Sequence, residues 1–193
     1  MKQLASLRSD EAKLFVLSAI ALYFELLVVR WTNAYVRNVG FFTNFLVLAS
    51  FVGLATGLLL ARRKEQSLFV FPLLCLAYCG LVFVGRPRLR LRDPAALFWG
   101  DDLESGATDA LPVSPEVFVA VAFMIVAILF VTLGQPIGRL LEKPSPLRAY
   151  ALNVGGSLVG IAIFTVGSFV LATPLVWFGV VLGGIAPFVW SRR

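Results

Sequence analysis

Residues 41 to 61 read FFTNFLVLASFVGLATGLLLA, twenty-one positions without a charge. A run of roughly 20 apolar residues is what a helix needs to cross the hydrocarbon of a bilayer. Such a run has no polar stripe with which to face water, so a large soluble core accounts for it poorly. The chain repeats this pattern. With 59% hydrophobic residues, 15% charged residues and a mean hydropathy of +0.88, it lies well outside the composition of soluble domains.

Six spans are predicted: 13–31, 41–61, 67–85, 115–134, 149–172 and 173–190. The fold class expected is all-α, a single polytopic transmembrane domain over 1–193. The first run follows a charged start, as a signal peptide does. It is longer than an h-region, contains Glu25 and leads to no small-residue cleavage site, so it reads as a retained span. Eleven Lys and Arg residues fall on one side of the spans and six on the other. By the positive-inside bias both termini belong in the cytoplasm. The net charge of +6 is thereby assigned to topology and anionic headgroups, and no nucleic-acid partner is expected.

Residues 86–114 form the one sizeable loop outside the predicted spans. It opens RPRLRLRDP and carries five acids from Asp93 to Asp109. It reads either as a lid or docking surface, or as a self-neutralising loop whose Leu residues and Trp99 rest in the interface.

Small residues recur every four positions at Ala49, Gly53 and Gly57, at Gly156 and Gly160, and at Gly179 and Gly183. This spacing lets helix backbones approach closely in lipid. Spans two and five hold equivalent places in two triplets of opposite orientation, the arrangement of inverted-repeat transporters. Cys75 and Cys79 read as small packing residues. With no histidine and two cysteines, no metal or cofactor site is expected.

The polar residues within the spans are the candidate sites. Glu25 and Arg30 stand five apart, about 140° around a helix, so they cannot pair with each other. Arg30 can reach the outer headgroups, whereas Glu25 lies roughly 8 Å deeper and needs a partner from another helix. Depth points to Asn44, with Thr43 and Thr173 at the same outer level. A second polar group gathers at the cytoplasmic level: Gln135, Arg139, Arg148, Tyr150, Asn153 and Ser157. Polar side chains in spans face the bundle interior, so two polar layers are expected with an apolar middle. Glu25 then reads as a pin between spans one and two, as a proton-linked carboxylate, or as a site for a cationic solute. A membrane enzyme acting on lipid-linked substrates is disfavoured by the lack of histidine and of clustered acids.

Three blocks together resemble the membrane portion of spermidine synthase-like proteins, in which a polytopic domain is joined to an aminopropyltransferase-like domain. FELLVVRW is similar to that family's Glu-x-x-x-x-Arg near the end of its first span. LASFVGLATGLLLARR resembles its Gly-Leu-x-x-Gly helix ending in basic residues. PLRAYALNVGGSLVGIAIF is similar to its Tyr-x-x-Asn-x-x-Gly stretch, with Pro174 downstream. The family's catalytic part carries a Gly-rich nucleotide loop after a strand, plus aspartates that hold the amine. Here the Gly-Gly pairs at 155 and 183 fall within predicted spans, and no soluble domain is expected beyond Arg193. The resemblance thus implies a split or shortened member: a non-catalytic module of the bacterial cytoplasmic membrane. It would serve a separate soluble aminopropyltransferase- or methyltransferase-like enzyme at its basic face. The alternative is a small transporter or exporter of a cationic or amphipathic solute, working as a homodimer.

Overall fold

The structure, a computed structural model, describes residues 2–36, 43–63, 67–85, 115–170 and 173–190. Six α-helices follow one another: α1 (Lys2–Tyr35), α2 (Thr43–Leu59), α3 (Phe71–Gly85), α4 (Pro115–Leu141), α5 (Pro146–Phe169) and α6 (Pro174–Trp190). A 3-10 turn, Ser67–Phe69, leads into α3. The loop 86–114 lies outside the described residues.

Three stretches, Ser9–Tyr35, Val117–Leu141 and Pro146–Phe169, are long and apolar enough to cross a membrane. The other three apolar helices, Asn44–Leu59, Phe71–Phe83 and Pro174–Trp190, are shorter than that measure. The expectation of six spans is therefore met in part: six helices are present among the described residues, and three of them have spanning length. Outward-facing positions are apolar as well: Phe51, Leu73, Phe83, Leu158, Phe169 and Leu175 are all exposed. A water-soluble protein would not expose so much apolar side chain on every helix, whereas lipid imposes no such penalty.

Some helices outrun their predicted spans. α1 extends to Tyr35, and α5 begins at Pro146. α5 starts where the rules for helix N-termini place a start, with Ser145 at the N-cap in extended backbone and Pro146 at N1. α4 passes its predicted end at 134 and continues through Pro136 to Leu141. Proline removes one backbone bond, but a membrane helix tolerates that where a neighbour packs on it. Here Gly134 and Gly138 seat that stretch against α2.

Packing is led by two close pairs, α2 with α4 and α1 with α5. Each is built by a glycine pair on the shorter partner. A Cβ on Gly53 would strike the Ala127 carbonyl oxygen, and one on Gly57 would stand 2.7 Å from the Val131 carbonyl oxygen. Likewise a Cβ on Gly156 would strike the Phe15 carbonyl oxygen, and one on Gly160 that of Ala19. In both pairs the contacts advance along the two helices in the same sense, so each pair is parallel. α3 then rests on α4, and α6 on α1. The result is two three-helix bundles, α1/α5/α6 and α4/α2/α3, each drawing helices from both halves of the sequence.

The two bundles meet chiefly where α1 crosses α4. Phe24 of α1 lies in the middle, its ring 5.5 Å from Phe130 of α4 and 5.1 Å from Phe71 of α3. The third small-residue pair behaves differently from expectation: a Cβ on Gly179 or Gly183 would meet nothing within 4 Å. These glycines lie on an outward face of α6, where no other helix among the described residues approaches.

Candidate functional site

Glu25 is buried, 7% exposed, on the face of α1 that meets α2. The Ser50 hydroxyl of α2 lies beside its carboxyl group. The predicted partner, Asn44, is instead exposed, nearly two turns further out on α2. The reason is depth. Because α1 runs to Tyr35, Glu25 lies about 15 Å below the outer end of its helix, and Ser50 lies about 10 Å in from Thr43. The Ser50 hydroxyl donates to the Val47 carbonyl at 2.7 Å. With one proton and two acceptors beside it, that hydroxyl can satisfy one at a time.

Arg30 is exposed, and its guanidinium lies 5.5 Å from the centre of the Trp177 ring. A cation over an indole face gains electrostatically from the ring quadrupole. Two residues further along α1, Thr32 spends its proton on the Val28 carbonyl at 2.6 Å. Tyr78 must then be the donor in the Thr32–Tyr78 hydrogen bond. Both hydroxyls are fully buried within the outer aromatic group of Trp31, Tyr78 and Phe178.

The inner polar residues do not converge on one site. Asn153 accepts a hydrogen bond from Ser18 at 2.8 Å, tying α5 to α1. Gln135 is buried against α2 and donates to the Leu60 carbonyl at 3.5 Å; its own side-chain oxygen has no partner among the described residues. Arg139 donates to the Gln135 carbonyl at 3.4 Å. Ser157 is half-buried, one turn from Asn153. Tyr150 departs from the expectation that span polar groups face inward: it is 68% exposed on the outer surface of α5. A tyrosine near a helix end can leave its ring in lipid and its hydroxyl at the headgroups, so it needs no interior partner.

Below these, the inner rim is laced by ion pairs that residue-by-residue reading of the spans missed. Asp10 pairs with Lys143 at 2.7 Å, Glu11 with Arg148 at 3.0 Å, and Arg62 with Glu142 at 3.4 Å. Lys13 adds a second cation to Asp10 at 3.4 Å. The rim thus joins the ends of α1, α2, α4 and α5. The chain matches no protein-family model, no curated protein and no solved structure. Among the described residues no cluster of side chains suits a metal ion. Cys75 is buried and Cys79 half-buried, both as free thiols.

The polar groups therefore act chiefly as pins between helices. Ser18, Thr32, Ser50 and Tyr78 were overlooked because they are small or aromatic, yet each is a polar group in an apolar run. The rule that such a group needs a partner would have found all four.

Proposed function

We propose that this chain is a non-catalytic membrane module of the bacterial cytoplasmic membrane. In this reading all six helices span, with both termini inside. Its ion-paired inner rim holds or serves a soluble aminopropyltransferase- or methyltransferase-like enzyme, as the likeness of three sequence blocks to spermidine synthase-like membrane domains implies. The observation that carries the reading is the rim itself. Asp10–Lys143, Glu11–Arg148 and Arg62–Glu142 brace four helix ends into one charged platform, with Arg63 exposed beside it. Charge of this kind steers and orients a docking partner more than it adds affinity.

The test is co-purification in mild detergent from cells that make the chain at natural level. A soluble enzyme of that class is expected to accompany the wild type and to be lost from an Arg62→Glu/Arg63→Glu variant. Repeated recovery of the chain without any soluble enzyme sinks the proposal.

One observation favours the transporter reading as a second: Glu25 is a buried acid lying between the two bundles rather than inside either. That reading requires Glu25→Gln to abolish solute movement in vesicles while the protein remains folded. Lost stability with no transport to lose assigns Glu25 to the pinning role.

A further inference from the structure

We infer that the two bundles are rigid bodies related as inverted repeats, and that the seam between them opens at its outer end when the Tyr78–Thr32 bond is released. The repeat is carried by matching contacts. Gly53 and Gly156 stand 103 positions apart, as do Gly57 and Gly160, and each pair locks onto two carbonyls one turn apart on a long helix. The same interval relates Tyr78 to Val181 and Val82 to Ile185, the buried stripes of α3 and α6. It also relates Gly80 to Gly183, at both of which a Cβ would meet nothing within 4 Å. The parallel pair α1/α5 thus has its counterpart in α4/α2, and α6 on α1 has its counterpart in α3 on α4.

What differs is how the joints are made. The glycine contacts at Gly53, Gly57, Gly156 and Gly160 lie within bundles, where backbone meets backbone and nothing can slide. Between the bundles the joints are side-chain tips: rings at Phe24, Phe71 and Phe130, the outer Tyr78–Thr32 hydrogen bond, and the Asp10–Lys143 ion pair at the inner end. Such joints can part and re-form without deforming either bundle, which is how packed repeats move against each other in the membrane.

Cys75 reports on the seam. It is 3% exposed, between Phe71 and Tyr78 on the stripe of α3 that faces α1. In a Cys79→Ala background, with the protein in lipid nanodiscs, the rate at which N-ethylmaleimide labels Cys75 measures opening. Removing the outer bond with Thr32→Val is expected to speed that labelling ~3-fold, from typical hydrogen-bond strengths between membrane helices. Ala49, fully buried on the glycine face of α2, supplies the control as Ala49→Cys in a Cys75→Ala/Cys79→Ala background. Its labelling is expected not to change. Should Thr32→Val fail to fold, Tyr78→Phe keeps the ring, removes the same bond and gives the same comparison. Faster labelling at both positions would mean general loosening and overturns the rigid-body reading. Unchanged labelling at Cys75 overturns the role of the outer bond.

Discussion

Gly57 and Gly134 face each other so closely that a Cβ on the first would stand 2.8 Å from the Cα of the second, and one on the second 3.0 Å from the Cα of the first. Neither neighbour is a flexible side chain, so a methyl at either place must push α2 away from α4. Gly57→Ala and Gly134→Ala are each expected to cost ~1–3 kcal/mol, the usual range for overpacking. Gly179→Ala and Gly183→Ala, where the space is open, are expected to stay within ~0.5 kcal/mol of wild type. Unfolding by SDS in mixed micelles reads all four.

The Ser18–Asn153 bond joins α1 to α5 at 2.8 Å, beside the Gly156 contact. A double-mutant cycle with Ser18→Ala and Asn153→Ala is expected to give a coupling of ~0.6 kcal/mol, and at most ~1.7 kcal/mol. A coupling near zero would mean that the pair is geometrical and contributes nothing.

Ser168 and Trp177 point the other way. The hydroxyl of the first and the indole nitrogen of the second are buried with no partner among the described residues. A buried polar group without a partner costs ~1–3 kcal/mol. Ser168→Ala is therefore expected to leave stability unchanged or to raise it by up to ~1 kcal/mol. A clear loss would show that Ser168 has a partner.

At the rim, Lys143→Glu replaces the partner of Asp10 with a like charge. Lys143 is about half exposed, so the loss is expected to be modest, ~1 kcal/mol. It should shrink in 1 M salt, where the Debye length falls to ~3 Å. Melting temperatures in low and high salt give the comparison.

The glycine positions were legible in the sequence because close helix contact in lipid leaves a four-residue trace, as at Gly53 and Gly57. The trace does not say which faces are occupied, and so Gly179 and Gly183, with the same spacing, turned out open. For Glu25 the reasoning that it needed a partner on another helix was sound, and the choice of Asn44 was not. Apolar runs end where charges begin, whereas helices end where backbone bonds run out. α1 carries on beyond Trp31, and that displacement moved the match from Asn44 to Ser50. The ion-paired rim was less accessible still. Asp10, Glu11, Glu142 and Lys143 lie outside every predicted span, and only the fold brings their helix ends together.

The parallel pairing of α1 with α5 bears on how the protein is made. The carbonyl of Ala19 waits for Gly160, roughly 140 residues further along the chain. At typical synthesis rates of ~5–20 residues per second, that is a delay of ~7–30 s after α1 leaves the ribosome. During it α1 has none of its glycine-lined partner, and the Gly53 and Gly57 face of α2 stands bare until α4 arrives. The first three helices are thus made before they are packed, and the fourth and fifth complete the packing of helices made earlier.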